Sequence, residues 1–312
     1  MSSVSELAQL LHDNLNSKKG EEIILDIVTK CDLKTRIAIA QYYKAAYEVS
    51  LFDEINSKIG GDFGLCSAQM FLSPLQFCLY HLKIGIKKQN ECAFEMLTSK
   101  TPEELKIIEK AYNRDTGKDL KTDLIKAFGG AVGKNLLNLF INQRSSNPKP
   151  QNSVCEKYAN KLIEVEPKNW VEDEELFKEI FIQRSPEELI LIARHYYKFT
   201  GKNLIEIVDK KIKGKAQILL KEILYNNIMP HELFAEKIHL AIKGAGTNEE
   251  VLSRVLVSRS EIDMPLMREI YQHKNNISIK DDIIGDTSGA YQKLCIYLSE
   301  KLKWKKYFNI IL

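Results

Sequence analysis

The sequence lacks any long hydrophobic run, although 44% of its 312 residues are hydrophobic. A helix that crosses a bilayer needs about 20 consecutive apolar residues, so no part of the chain is expected to span a membrane. The stretch MSSVSELAQLLHDNL at the start has neither a basic segment nor an apolar core, and we expect no secretory signal peptide. Any contact with a membrane is therefore expected to be peripheral. Without a signal peptide we expect a cytoplasmic protein, which would meet a membrane at its inner face.

The sequence also lacks the short motifs of common catalytic and metal centres. Its six histidines form no HExxH pair, and there is neither a GxxxxGK[ST] phosphate loop nor a GxSxG nucleophile turn. The six cysteines include no CxxC pair, which favours free thiols in a reducing cytosol. A formal net charge of +3 points by itself to no nucleic-acid partner. We therefore expect a protein that is not an enzyme and binds no nucleic acid.

Strand-like alternation of polar and apolar residues is nearly absent as well. Apolar residues instead recur at steps of three and four, as in ELAQLL and VLSRVLV, which is the helical period. Prolines are scarce, and NPKP at 147–150 is the clearest linker. The fold class is predicted to be all-α.

Comparison of the chain with itself indicates four copies of one helical unit. Four anchor positions define the copies: Cys31, Lys100, Arg184 and Arg259. At four fixed distances from each anchor the residue is apolar or aromatic in every copy, which we interpret as core packing. These positions are Val28, Leu97, Phe181 and Leu256; Ile39, Ile108, Ile192 and Met267; Tyr43, Tyr112, Tyr196 and Tyr271; and Leu51, Leu120, Leu204 and Ile279.

Each copy is predicted to be a repeat of about five short helices. The predicted repeats are 5–70, 72–143, 154–227 and 231–301, with a linker at 144–153 and a basic, aromatic tail at 302–312. In the fourth repeat the predicted helices are about 231–242, 247–258, 263–273, 278–284 and 287–300. The tail either anchors the protein to a membrane or partner, or covers the last helix bundle.

The fourth repeat contains a loop, KGAGTNEE from Lys243 to Glu250, with two glycines one residue apart. Glycine allows backbone conformations that turn carbonyl groups outward. Thr247 and Glu250 have the spacing of a capping box, which predicts that the next helix starts there. Asp286 lies 27 residues after the anchor, in a second loop, GDTSG.

In a compact bundle these two loops can lie at the same end. The carbonyl groups near Gly244 and Gly246 would then converge with the carboxylate of Asp286. A set of oxygen ligands with one carboxylate suits a hard cation such as Ca²⁺ rather than zinc or copper. The residues also fit a plainer interpretation, in which GxGT is an ordinary turn and Asp286 caps a helix.

The stretch KGAGTNEEVLSRVLVSRSEIDMPLMREIYQ, followed by IIGDTSGAYQKL, resembles an annexin repeat. The resemblance rests on the K-G-x-G-T loop, the Arg-Ser turn and the downstream acidic residue, and it extends over roughly 5–301. It implies four annexin-like repeats in one curved helical array, and Ca²⁺-dependent binding to acidic phospholipid membranes. The implied calcium ligands are the carbonyls of Ile242, Gly244 and Gly246 and the carboxylate of Asp286. A secondary oxygen cluster could use Thr247 and Glu249.

The other three copies depart from the annexin motif. The acidic position becomes Lys58, Ala127 and Lys211, and the glycine loop becomes NSKK at 16–19, GIKK at 85–88 and NWVE at 169–172. Because lysine repels Ca²⁺ and alanine has no ligand atom in its side chain, we expect one calcium site rather than four. The erosion suggests a divergent branch, such as the alpha-giardin-type annexins of protists.

Lysines lie in or beside the degenerate loops and would share one convex face in the annexin fold. They are Lys18, Lys19, Lys58, Lys87, Lys88, Lys126, Lys168, Lys210, Lys211 and Lys213. Either they form a solvated surface, or they bind anions without calcium: an acidic bilayer, a tubulin tail or a sulfated glycan. Trp170 either contacts lipid or is partly buried. Two functions therefore remain: calcium-dependent membrane binding, or a cytoskeleton-associated scaffold for which calcium is secondary.

Overall fold

The computed structural model describes residues 2–145, 149–244 and 246–301, and these residues form helices but no strand. The first repeat comprises α1 Val4–Asn14, α2 Gly20–Lys30, α3 Leu33–Tyr47, α4 Leu51–Lys58 and α5 Gly61–Gln69. The second comprises α6 Pro74–Lys88, α7 Glu91–Thr98, α8 Pro102–Thr116, α9 Leu120–Phe128 and α10 Gly130–Ile141.

The third and fourth repeats have the same order of helices. The third comprises α11 Asn152–Glu164, α12 Glu174–Phe177, α13 Pro186–Thr200, α14 Leu204–Lys211 and α15 Gly214–Ile228. A short 3₁₀ helix at Pro167–Asn169 precedes α12, and a π turn at Lys178–Ile182 follows it. The fourth comprises α16 Pro230–Ile242, α17 Glu249–Arg259, α18 Met264–Asn275, α19 Ile279–Asp286 and α20 Gly289–Ser299. The prediction of an all-α fold of four five-helix repeats is confirmed.

Two sequence predictions fall wholly or partly outside the described residues. The tail at 302–312 lies outside them, and so do residues 147 and 148 of the NPKP linker. Among the residues that are described, no helix has both the length and the apolar character needed to cross a bilayer.

The third helix of every repeat ends in the same way. The residue after the helix has a left-handed backbone conformation in each copy, and the helix must stop there. These residues are Glu48, Gly117, Gly201 and Asn276, with φ between 57° and 67°. Capping boxes formed by Thr101 with Glu104 and by Ser185 with Glu188 start two of these helices.

The predicted core positions are all buried. The tyrosines that follow each anchor are at most 5% exposed, and the residues of the other three sets are at most 2% exposed. Three of the tyrosines also bond to a carboxylate on the next helix: Tyr112 to Asp123 at 2.9 Å, Tyr271 to Asp282 at 2.5 Å, and Tyr43 to Glu54 at 3.5 Å. The apolar sets therefore form the interior, and three of the four tyrosine hydroxyls have a carboxylate acceptor at its edge.

The chain folds into two compact units. One unit combines 2–77 with 234–301, so it contains the first and fourth repeats, in which α5 packs against α17 and α20. The other unit comprises 78–233, in which α15 of the third repeat packs against α7 and α10 of the second. Each unit therefore joins helices from two repeats in one core.

A buried arginine links the two repeats of the first unit. Arg36, on α3, is 2% exposed. Its guanidinium donates hydrogen bonds to the carbonyls of Met70 at 2.8 Å and Cys31 at 2.6 Å. It also pairs with Glu261 of the fourth repeat at 3.0 Å. All three contacts use the fixed donor geometry of one guanidinium, which suits arginine and no other side chain.

Candidate calcium site

The loop between α16 and α17 has the open backbone that the two glycines predict. Gly244 has a φ of 120° and Gly246 a φ of 101°, conformations that residues with a side chain rarely adopt. A Cβ atom at either position would have no neighbour within 4 Å, so the loop faces open space. The amide of Asn248 donates to the carbonyl of Ala241 at 2.6 Å and draws the two ends of the loop together.

The predicted capping box at Thr247 and Glu250 is wrong. Helix α17 starts at Glu249, and its cap is Asn248, whose side chain accepts a hydrogen bond from the amide of Val251 at 3.1 Å. The hydroxyl of Thr247 turns instead to the second loop. It donates to the carboxylate of Asp286 at 2.6 Å, and it also lies 3.1 Å from the backbone carbonyl of Asp286. A carboxylate accepts a stronger hydrogen bond than a neutral carbonyl oxygen does, which accounts for the shorter distance from the Thr247 hydroxyl to the carboxylate.

Asp286 is the last residue of α19 and is partly exposed. The loop that follows it is held by Gln292, whose side-chain amide donates to the carbonyls of Ile284 at 3.1 Å and Thr287 at 2.5 Å. Thr247 and Asp286, 39 residues apart in sequence, are therefore in direct contact. The structure brings the two predicted loops together at one end of the repeat.

The chemistry of this end suits calcium. The residues predicted to supply carbonyl ligands, Ile242, Gly244 and Gly246, belong to or border this loop, and Asp286 has one carboxylate oxygen that Thr247 does not bind. Within the described part of the chain, no group of three or more His, Cys, Asp or Glu side chains could hold a metal ion. A site with one carboxylate and several carbonyls falls outside that kind of cluster and matches the oxygen preference of Ca²⁺. The Thr247 and Glu249 cluster stays a prediction.

The corresponding loops of the other repeats have no glycine cradle. The prediction of a loop at residues 85–88 is wrong, because these residues form the last turn of α6. Gly85 in this turn allows α7 to pack closely, since a Cβ there would lie 2.2 Å from the amide nitrogen of Ala93. At the acidic position of the first repeat, Lys58 pairs with Glu54 at 2.5 Å.

Of the two alternatives predicted for Trp170, lipid contact is contradicted, and the side chain is buried completely rather than partly. The indole is 0% exposed, and its Nε1 donates to the carbonyls of Leu162 at 3.2 Å and Val165 at 3.0 Å. Packing against Phe181 and Tyr196 fills the space around the ring. Trp170 therefore closes the third repeat's loop from inside, because burying the large apolar ring favours this position over solvent.

The lysines near the degenerate loops are exposed, and several have partners close by in sequence. Lys168 pairs with Glu166 at 2.7 Å and Lys210 with Glu206 at 3.1 Å, while Lys213 donates to the carbonyl of Asp209 at 3.2 Å. The hydrogen bond and charge of Glu166 raise the pKa of Lys168. The exposed members that show no ion pair within the described residues are Lys18, Lys19, Lys87, Lys126 and Lys211. Exposed ion pairs are weak, so both groups keep their charge available to an anion.

Comparison with protein families and curated proteins gives a consistent result. The annexin family model matches residues 79–139, 159–223 and 233–298. The chain is 30% identical over 281 residues to annexin A5 of Bos taurus, covering 89% of this chain and 88% of that protein. It is 30% identical to annexin A6 of Gallus gallus over 91% of this chain, but it spans only 44% of that longer protein.

Solved structures extend the likeness to the fold. Chicken annexin V in complex with Zn²⁺ is 28% identical, with a TM-score of 0.85 over 96% of this chain and 95% of that one. Calcium-bound annexin (Sm)1 is 25% identical, with a TM-score of 0.76 over 96% of this chain and 91% of that one. Calcium-bound alpha-14 giardin shares the fold at 15% identity, with a TM-score of 0.78 over 96% and 100%. With its repeats, core positions and family match all in agreement, the chain belongs to the annexin family.

Proposed function

We propose that this annexin binds acidic phospholipid membranes peripherally through one Ca²⁺ at the loop pair of the fourth repeat. Annexins generally bind phospholipid in a calcium-dependent way and are not enzymes. The observation that carries the assignment to this repeat is the contact between Thr247 and Asp286 at 2.6 Å. It supports the site because it joins two loops that are far apart in sequence.

Each residue of the loop pair has a distinct task in this proposal. Gly244 and Gly246 allow the backbone to present carbonyls to the ion, and Asp286 provides the only carboxylate. Thr247 holds one oxygen of that carboxylate, so Asp286 needs little reorientation on binding. Bound Ca²⁺ would supply the positive charge that attracts an anionic headgroup, since one carboxylate neutralises only half of it. Calcium-bound annexin (Sm)1 supports calcium as the ion.

Sedimentation with liposomes tests this function. We expect the protein to pellet with vesicles that contain phosphatidylserine when millimolar calcium is present, and to remain in the supernatant with phosphatidylcholine alone. Headgroup and ion bind together, so lipid should lower the calcium concentration that is required. Sedimentation that does not depend on calcium at any phosphatidylserine content would contradict the proposal.

The exposed lysines predict a second, weaker mode of binding. Each lysine near an anionic surface contributes about 1 kcal/mol, and exposed charges are screened beyond about 8 Å at physiological salt. With a calcium chelator present, we expect residual binding to phosphatidylserine vesicles that falls several-fold between about 0.05 M and about 0.3 M salt. Absence of chelator-resistant binding would show that these lysines form a solvated surface only. Persistent binding to tubulin but not to vesicles would favour the scaffold function.

A further inference from the structure

A lysine from the third repeat reaches the loop pair of the second repeat. Lys215, in the first turn of α15, is partly buried. Its Nζ donates to the side-chain oxygen of Gln89 at 2.8 Å and to the backbone carbonyl of Ala127 at 3.0 Å. The ammonium also lies 5.4 Å from the centre of the Phe128 ring, within the range of a cation–π contact.

Gln89 lies in a loop, and Ala127 in the last turn of α9, at the positions that correspond to the candidate calcium site. Gln89 lies between α6 and α7, as the glycine loop of the fourth repeat lies between α16 and α17. Ala127 stands 27 residues after its anchor, as Asp286 does. In the fourth repeat these two loops meet through Thr247 and Asp286. In the second repeat a positively charged side chain stands between them.

The backbone of Gln89 ends helix α6. Its φ is 53°, one of three positive values among non-glycine residues in the described chain, and the other two, at Glu48 and Asn276, also follow a helix. The amide of Asn90 donates to the carbonyl of Gly85 at 3.1 Å, which is the bond typical of such a left-handed helix end. The bond from Lys215 to the side chain of Gln89 is a further contact at this turn.

We propose that Lys215 is a tethered cation that takes the place of Ca²⁺ in the second repeat. An ammonium has three donors and no need of a carboxylate, which fits a site where alanine has replaced the acidic ligand. Two donors meet Gln89 and Ala127, and the aromatic ring covers part of the remaining charge. The second repeat's loop pair is thereby closed without calcium, by a residue that its neighbour supplies. This inference does not rest on calcium binding in the fourth repeat.

Hydrogen–deuterium exchange on the full chain, without lipid, tests the proposal. Lys215→Met keeps the length of the side chain but removes its charge. We expect amides at 86–91 and 126–131 to exchange about tenfold faster in this variant, because a charged hydrogen bond no longer holds the loops. Lys134→Met, which changes an exposed lysine on α10 of the same repeat, is the matched control and should leave both segments unchanged.

Two further measurements distinguish a cation site from general packing. In Lys215→Ala, added methylammonium should slow exchange at 86–91 and 126–131 again, and it should have no effect on Lys134→Ala. Calcium added to the wild-type protein should leave these segments unchanged. Equal exchange in wild type and Lys215→Met would overturn the proposal, as would an increase spread over the whole unit that methylammonium does not reverse. Slower exchange at these segments on addition of calcium to the wild type would also overturn it. Failure of the fourth-repeat site would appear separately, as a lack of calcium response at 243–248.

Discussion

Replacing Asp286 with alanine is expected to remove most calcium-dependent binding to phosphatidylserine vesicles. The substitution leaves only neutral carbonyls, which cannot offset the dehydration of Ca²⁺. The calcium concentration at half-maximal sedimentation should rise at least tenfold. This rise corresponds to a loss of about 1.4 kcal/mol in binding free energy. Asp286 is partly exposed and loses one hydrogen bond from Thr247, so the loss of folding stability should be only about 1 kcal/mol.

Three related variants distinguish the charge of Asp286 from its hydrogen bond with Thr247 and from other acidic residues of α19. Asp286→Asn keeps an acceptor for Thr247 but loses the charge, and it should bind calcium as poorly as the alanine variant. Thr247→Val keeps the carboxylate but frees it, and a smaller loss, about threefold, is expected. Asp281→Asn changes an exposed acid on the same helix and should behave as wild type. If Asp286→Ala sediments at the wild-type calcium concentration, calcium acts elsewhere.

Replacing Arg36 with methionine is expected to have the largest effect on stability. The change removes three hydrogen bonds, one buried and two partly buried, and leaves the partly buried Glu261 with less compensating charge. Removing one partner of a fully buried ion pair costs about 3–5 kcal/mol, and we expect a loss near the lower end, because Glu261 is partly exposed and keeps its pair with Lys301. Urea denaturation should show this loss, and Lys34→Met, which changes an exposed lysine on α3, should show almost none. A loss below about 1 kcal/mol would mean that Arg36 does not hold the first and fourth repeats together.

The same contact predicts a dependence on pH. Burial acts to raise the pKa of Glu261, but Arg36, followed by the hydrogen bond and charge of Lys301, holds it below the ordinary value of 4.5. A depressed pKa contributes stability above that value, and this stability is lost as the pH falls through the lower folded pKa. We therefore expect the wild-type protein to lose stability below about pH 4.5, and Glu261→Gln to lose less over the same range. Equal slopes in the two proteins would contradict this role.

The helical repeats and their core could be predicted because the signal is local and recurs four times. Burial of Tyr43, Tyr112, Tyr196 and Tyr271 follows from the spacing alone. The approach of the two loops could also be predicted, because in a compact helical bundle both loops can lie at the same end. What holds them together was not expected. Thr247 has the local spacing of a helix cap, but a carboxylate 39 residues away takes its hydroxyl.

Contacts between repeats were beyond the sequence pattern for the same reason. Lys215 reaches Ala127 across 88 residues, and Arg36 reaches Glu261 across 225. No periodicity links such pairs, because they depend on how helices of different repeats pack. The sequence leaves open whether Trp170 contacts lipid or is buried, because the position of its indole depends on how the interior of the third repeat packs. The apolar core could therefore be predicted from the sequence, whereas the polar contacts between distant residues could be identified only from the structure.

The position of the ion is the most direct test of the calcium site. A crystal grown with millimolar calcium and measured for anomalous diffraction would locate bound ions without reference to lipid. We expect one strong peak in the fourth repeat, about 2.3–2.6 Å from the carbonyls of Ile242, Gly244 and Gly246 and from the carboxylate of Asp286. No peak should appear at the corresponding loops near Lys58, Ala127 and Lys211. A well-occupied ion at any of those loops, or an empty fourth-repeat loop at saturating calcium, would contradict the account.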